Sequence, residues 1–232
     1  MIPRDSLAVD AFVFDAYGTL FDVQSVFALA ESLAPGRGAA IAQLWRAKQL
    51  EYTWWSSLMA SERYRREDFA ELTARALDYA LDALGIEMAG PRRTLLASAY
   101  LALAPFADVA GALAALAPRP RWILSNGTRA MLDPLVRASG LAEHLDGVMS
   151  VDEADVYKPD PRVYRLAVDR LQLAPARIGF VSSNGWDAAG AKAFGFTVFW
   201  INRAGAPVER HAPPPDCMIA TLGDLPALIA AA

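Results

Sequence analysis

The chain has 232 residues, a formal net charge of −4 and 54% hydrophobic residues, enough to bury a real core as one large domain or two smaller ones. That charge balance gives no basic footprint for nucleic acid. The longest uncharged run, residues 94–107, is interrupted by Pro105 and is well short of a membrane-spanning helix. Cys217 is the single cysteine, so an internal disulfide is excluded, and no Cys/His cluster has zinc spacing. Asp5 and Asp10 stand where a signal peptide would need a basic and then an apolar segment, so a cytoplasmic location without membrane association is expected. The only histidines, His144 and His211, lie in polar or Pro-rich surroundings and read as surface residues. Acid–base chemistry therefore falls to Asp, Lys, Tyr and Ser.

The first clear element is Phe12-Val13-Phe14-Asp15-Ala16-Tyr17-Gly18-Thr19-Leu20-Phe21-Asp22. A branched and aromatic run ends abruptly in an acid and a Tyr-Gly-Thr turn, the pattern of a buried strand delivering one carboxylate to a sheet end. Asp15 is the candidate reacting group, although an Asp after a strand also caps turns. Helical spacing follows: Val26, Leu29, Ala30 and Leu33, a break at Pro35-Gly36-Arg37-Gly38, then a long helix with Ile41, Trp45, Tyr52, Trp55 and Met59 on one stripe that reads as core. The mixed cluster Glu62-Arg63-Tyr64-Arg65-Arg66-Glu67 reads as a solvated turn. Phe69, Leu72, Ala76, Ala80 and Leu84 mark a third helix stopped near Gly85, and a fourth is expected over 92–104, ended by Pro105.

From there strand and helix alternate, which predicts a parallel sheet covered on both faces. Arg121-Trp122-Ile123-Leu124 leads into Ser125-Asn126-Gly127, with Thr128 placed to cap a helix that Pro134 bends or restarts. Gly147-Val148-Met149-Ser150 is a weak strand. The turn Val156-Tyr157-Lys158-Pro159-Asp160-Pro161 places Lys158 before a helix carrying Tyr164. Arg177-Ile178-Gly179-Phe180-Val181 runs into Ser182-Ser183-Asn184-Gly185-Trp186-Asp187; strands over 196–201 and at Met218-Ile219-Ala220 and a helix over 222–231 complete the chain. The fold class is α/β: a parallel-sheet core, 1–22 and 104–232, with an inserted all-helical block, 23–103.

Ligands of open α/β sheets bind outside the carboxyl ends of the strands. Asp15, Ser125 with Asn126, and Ser182 with Asn184 fall at three such ends, with Lys158 and Asp187 in adjoining loops. Together they supply a nucleophile, neutral hydrogen-bonding groups, a cation and a second acid. Singly, each has a plainer reading: Ser125 and Asn126 as caps, Lys158 and Arg46 as solvated cations, Asp187 as a first-turn acid.

The Asp-x-Tyr-Gly-Thr-Leu opening, Ser125-Asn126-Gly127, Lys158-Pro159 and Val181-Ser182-Ser183-Asn184 resemble the haloacid dehalogenase superfamily. Trp45-Arg46, Lys48-Gln49-Leu50-Glu51-Tyr52, Leu103-Ala104-Pro105 and Val156-Tyr157-Lys158-Pro159-Asp160 extend the resemblance to its (S)-2-haloacid dehalogenases, over nearly the whole chain. The resemblance implies a Rossmann-like parallel-sheet core with an inserted all-helical cap, and a two-step displacement through an Asp15 ester on a small 2-haloalkanoate, with no cofactor and no metal. It assigns halide binding to Arg46 and Asn126, the substrate carboxylate to Ser125 and backbone N–H groups near Tyr17, and orientation of Asp15 to Lys158. Thr19, Ser182 and Asn184 fix its second oxygen or the ester carbonyl, and Asp187 activates the hydrolytic water. Tyr164 supports Lys158, although a buried helix Tyr reads equally well. Tyr17, Leu50, Phe69 and Trp186 form an apolar pocket. Relatives suggest a homodimer.

Two departures stand out. Ala47 replaces the Gln expected in this family, bearing on substrate size and halide preference, and the stretch before Phe69 is longer than in relatives. The superfamily's phosphatases resemble Asp-x-Asp in the first motif and hold magnesium with acids in the last, where this chain has Tyr17 and Ser182-Ser183. A halide leaves without a proton, so the missing acid does not impair dehalogenation. Opening of a strained cyclic amino acid, cleavage of fluoroacetate by the same ester chemistry, and a catalytically silent binding module are the remaining rivals.

Overall fold

A computed structural model describes residues 7–229. Its strands are β1 (Ala11–Phe14), β2 (Arg121–Ser125), β3 (Gly147–Ser150), β4 (Ile178–Ser182), β5 (Thr197–Ile201) and β6 (Cys217–Ile219). They form one sheet in the order β3-β2-β1-β4-β5-β6, with every neighbouring pair parallel. β1 and β4 are buried throughout, as their unbroken apolar sequences require of strands covered on both faces. The order of connection reverses between them, because the chain passes from β1 to β2 and β3 and then returns to β4 on β1's other side. Such a reversal opens a crevice at the strands' carboxyl ends. Phe14 pairs with Val181, so the residues that follow each strand emerge side by side.

Between β1 and β2 the chain makes α1 (Gln24–Leu33), α2 (Gly38–Met59), α3 (Phe69–Ala83), α4 (Gly90–Ala97), a 3-10 helix at Ser98–Leu101 and α5 (Val109–Ala115). It leaves and returns along paired backbone: Asp22 N–H donates to Ala104 C=O at 2.8 Å and Phe106 N–H to Leu20 C=O at 3.0 Å. α3 starts on a capping box, with the Asp68 side chain accepting from Glu71 N–H and Glu71 reaching back to Asp68 N–H, which is worth about 1 kcal/mol. Later come α6 (Arg129–Ala138), capped by Thr128, α7 (Pro161–Leu171) and α8 (Gly185–Phe194). Pro134 lies inside an α6 that continues past it. Cys217 is buried on β6, His211 is exposed and His144 is half-buried. No helix among the described residues is long and apolar enough to cross a membrane.

Several expectations are corrected. Trp55 and Met59 do not belong to the core, being 48% and 47% exposed. The buried stripe of α2 is Ile41, Trp45, Gln49, Thr53 and Ser56. Of its polar members Gln49 bonds across to Thr73 on α3, Thr53 donates to Leu50 C=O in its own helix, and the Ser56 hydroxyl has no partner among the described residues. Tyr52 is half-buried, and both its ring and that of Trp55 lie under the Lys48 ammonium. The 62–67 cluster is not simply solvated: the Arg66 side chain is 6% exposed and pairs with Asp152 at 2.6 Å and Asp155 at 3.0 Å. The helix expected over 92–104 begins earlier, with Pro91 in its first turn, and tightens to the 3-10 form at Ser98. In place of a helix over 222–231 there is a 3-10 helix at Leu222–Ala227 containing Pro226; residues 230 and 231 lie outside the described residues.

Candidate active site

Beyond β1 the backbone makes a single tight turn: Gly18 adopts φ +85°, and the N–H groups of Leu20 and Phe21 both donate to Ala16 C=O. That turn brings the Thr19 hydroxyl back over Asp15, where Oγ1 donates to Oδ2 at 3.1 Å. Ser183 N–H donates to the same Thr19 oxygen at 2.9 Å, and Ser183 Oγ lies 3.2 Å from it. Asn184, at the cap position of α8, donates from Nδ2 to Asp15 Oδ2 at 2.8 Å. One carboxylate oxygen thus holds two hydrogen bonds, each worth roughly 1.5–3 kcal/mol to a charged acceptor. Asp15 itself is buried.

Lys158 holds the other oxygen. Its Nζ donates to Asp15 Oδ1 at 3.2 Å and to Asp187 Oδ2 at 2.8 Å, with the lysine fully enclosed. Burial alone lowers the pKa of such an ammonium, but the carboxylates of Asp187 and Asp15 outweigh it and hold Lys158 above its ordinary value. Asp187 stands in the first turn of α8, and its Oδ1 accepts from the Tyr164 hydroxyl at 2.8 Å. Burial raises the Asp187 carboxyl above the ordinary carboxylate range; Lys158 pulls it down, and the Asp15 charge adds to the rise. Tyr164 is pushed well above the usual phenol range, first by burial and then by the Asp187 charge, so it remains a donor.

The loop bearing Lys158 is pinned from two sides. Lys158 N–H donates to Asn126 Oδ1 at 3.2 Å, and Tyr157 N–H donates to Ser57 Oγ at 3.0 Å on α2. The Tyr157 hydroxyl donates to Glu67 C=O at 2.7 Å. Behind Lys158, α8 passes so close that a Cβ on Gly190 would lie 2.5 Å from Pro159 Cβ and 2.6 Å from the Tyr164 hydroxyl. Only glycine leaves room there.

α2 brings Arg46 to the same centre. One guanidinium nitrogen donates to Asn184 Oδ1 at 3.3 Å and another to Gln49 Oε1 at 2.6 Å. Gln49 is fully buried and donates from Nε2 to Thr73 Oγ1 at 2.7 Å; Thr73 donates to Phe69 C=O at 2.6 Å. This chain of three hydrogen bonds ties Arg46 to the backbone of α3. Tyr100 is buried, with the ring of Trp45 edge-on at 5.1 Å.

Asp15, Thr19, Arg46, Lys158, Asn184, Asp187 and Tyr164 therefore form one connected network. Others stand a step away. Ser182 Oγ accepts from Asn184 N–H at 3.1 Å rather than bonding Asp15, and Ser125 Oγ accepts from Gly127 N–H at 3.1 Å. Arg46 is bonded to Asn184 and not to Asn126, whose Oδ1 is engaged by Lys158. Phe69 stacks on Tyr17 with ring centres 5.8 Å apart, and Trp186 meets Trp54 edge-on at 5.8 Å. Leu50 is half-buried on α2. The Tyr17 hydroxyl is buried without a hydrogen-bond partner among the described residues.

Gln49, Thr73, Tyr100 and Ser183 carry no role in the sequence reading. A signal for Gln49 exists, since it falls four residues after Trp45 on the buried stripe.

A divalent cation does not fit this donor set. The Lys158 ammonium already lies between the carboxylates of Asp15 and Asp187, and Ser182 and Ser183 bring no further carboxylate. Among the described residues no group of three or more His, Cys, Asp and Glu is arranged to hold a metal.

A model of the haloacid dehalogenase-like hydrolases matches residues 9–195. The chain is 45% identical to the (S)-2-haloacid dehalogenase of Pseudomonas sp. (strain YL), over 92% of this chain and 91% of that one. It is 44% identical to the (S)-2-haloacid dehalogenase of Xanthobacter autotrophicus, over 95% of each. A solved structure of the L-2-haloacid dehalogenase from Xanthobacter autotrophicus with chloropropionic acid covalently bound superposes with a TM-score of 0.86, at 44% identity, covering 95% of this chain and 98% of that one. With these matches spanning nearly its whole length, the chain belongs to the haloacid dehalogenase-like hydrolases and, within them, to the (S)-2-haloacid dehalogenase family.

Proposed function

We propose that this protein hydrolyses (S)-2-haloacids to (R)-2-hydroxyacids and halide through an ester on Asp15. The observation that carries the reading is the division of labour at that carboxylate: Thr19 and Asn184 hold one oxygen, while Lys158 bridges the other to Asp187.

In the first step an Asp15 oxygen attacks the back face of the carbon bearing halogen. A C–O bond forms, the C–X bond breaks, its electron pair leaves with the halide, and the carbon inverts. Oδ2, fixed by Thr19 and Asn184, becomes the ester carbonyl, and Oδ1 is the attacking atom. Lys158 offsets repulsion between Asp15 and an anionic substrate. Arg46 receives the negative charge that builds on the halogen, so its interaction strengthens in the transition state. Asn126 shares that role, while Ser125 and backbone N–H groups near Tyr17 receive the substrate carboxylate. The unpartnered Tyr17 hydroxyl offers a further donor.

In the second step Asp187 takes a proton from water as it attacks the ester carbonyl carbon, not the inverted carbon. The tetrahedral oxyanion forms at Oδ2, against donors already in place, and collapses with cleavage of the bond between the carbonyl carbon and Oδ1. Oδ1 leaves as the hydroxyl oxygen of the 2-hydroxyacid with the proton that Asp187 took, and the restored Asp15 carboxyl gives water's second proton to solvent. A raised Asp187 pKa suits a general base. Ser182 holds the Asn184 backbone, Tyr164 orients Asp187, and Leu50, Phe69 and Trp186 supply apolar surroundings.

In this reading 23–103 is a cap over a core of 1–22 and 104–232, supported by the paired backbone where the chain crosses between them. A cytoplasmic location accords with the single cysteine. A homodimer accords with the exposed Trp55, Leu58, Met59 and Tyr79 of α2 and α3; a sedimentation profile of monomer alone sinks that part. The activity is tested by halide release from both enantiomers of 2-chloropropionate in the presence of chelator. Release from the (S) enantiomer is expected. Phosphate release from an aryl phosphate, dependent on magnesium and without halide release, overturns the proposal.

A further inference from the structure

A cleft of about 590 Å³ runs between α1 and α2. Its outer wall carries Gln24, Phe27 and Gln43, all exposed, and its inner end is closed by half-buried Arg46 and buried Tyr100. Both inner residues touch the reacting centre from their other side: Arg46 donates to Asn184, which holds Asp15, and the Tyr100 ring lies 5.7 Å from that of Tyr17. The Arg46 side chain therefore faces the Asp15 centre and a solvent-open cleft at once. Its charge makes the cleft selective in sign. Among the described residues Arg46 is the one charged residue lining it, no carboxylate does, and the remaining polar side chains there are two neutral amides and the Tyr100 phenol.

We infer that this cleft is the passage by which the halide leaves the active site. The inference rests on the dehalogenase reading, in which the halide departs toward Arg46, away from Asp15. From there the ion has Arg46 on its path to solvent, the amide donors of Gln43 and Gln24 beyond it, and no repelling carboxylate on the wall. The small side chains of Ala42 and Ala47 keep the passage open.

Chloride exchange with the resting enzyme, followed by chlorine NMR line width, tests this without any turnover. Two variants leave the machinery around Asp15 untouched: Ala42→Phe narrows the cleft, and Gln43→Glu, at an exposed position, adds only a charge. Ala42→Phe is expected to slow exchange at least about tenfold, a barrier of ~1.4 kcal/mol, and Gln43→Glu several-fold. Ester formation from (S)-2-bromopropionate in a single turnover stays at the wild-type rate in both. Unchanged chloride exchange in Gln43→Glu and Ala42→Phe overturns the inference. So does slowed ester formation with unchanged chloride exchange, which makes the cleft an entrance for substrate. A wild-type enzyme that exchanges chloride but releases no halide from 2-haloacids contradicts the dehalogenase reading instead.

Discussion

Replacing Gln49 by Leu isolates what α2 contributes to the displacement step. The change keeps the apolar volume of a fully buried position and removes only the amide. Thr73 keeps its bond to Phe69 C=O, so the loss falls on Arg46, which forfeits its 2.6 Å acceptor and retains the longer 3.3 Å contact to Asn184. A hydrogen bond to a charged group is worth roughly 1.5–3 kcal/mol, or about 10–150-fold in rate if it is all expressed in the transition state. The assay is single-turnover halide release from the (S) enantiomers of 2-chloro- and 2-bromopropionate, with hydrolysis of the ester followed separately. We expect the first step to slow within that range and to slow more for chloride, the poorer leaving group, while the second step is unchanged. Equal losses for both halides, or a loss confined to the second step, refute the view that Gln49 acts by aiming Arg46.

Lys158→Met leaves the buried Asp15 and Asp187 without their shared cation, at a cost of about 3–5 kcal/mol in stability by chemical denaturation and ~10²–10³ in turnover. Because the folded-state pKa of Lys158 is raised above 10.5, its stabilising contribution is fully present below that pH and fades as pH rises through the folded value. The gap between wild type and Lys158→Met therefore narrows as pH rises beyond about 10.5; a gap that widens there contradicts the ion-pair account. Asp187→Asn is expected to release one equivalent of halide and then stall, with the propionyl group retained on the peptide containing Asp15 by mass spectrometry. Gly190→Ala must displace Pro159 or the Tyr164 hydroxyl, costing about 1–3 kcal/mol by thermal denaturation and lowering turnover; a neutral result shows that the Lys158 loop yields easily. Arg66→Met is expected to cost about 1 kcal/mol or less, because its partners Asp152 and Asp155 remain 36% and 81% exposed as side chains.

The sheet was legible because its strands are apolar runs that stop abruptly at polar residues, and the same stops named Asp15 and Asn184 of the network, with Ser125 and Ser182 a step away from it. Lys158 and Asp187 were legible only as members of that constellation, since nothing local shows that they share one ion pair. What stayed hidden depends on contacts remote in sequence. Gln49 and Thr73 look like ordinary polar helix residues until α2 and α3 pack together, and Arg66 looks solvated until it meets Asp152 and Asp155. Trp55 misled for the opposite reason: its spacing continues the stripe of Ile41 and Trp45, but the inward face of α2 runs through Gln49, Thr53 and Ser56, with Gln49 bonded to Thr73 across the interface with α3.

The central claim is that oxygen passes from Asp15 to the product. With enzyme in excess over (S)-2-chloropropionate in heavy-oxygen water, a single turnover should deliver unlabelled oxygen to the 2-hydroxy position and leave the label in the Asp15 carboxylate, read by mass spectrometry of both. Label in the product's hydroxyl with none in Asp15 would mean that water attacks the substrate directly, and the ester mechanism would fall.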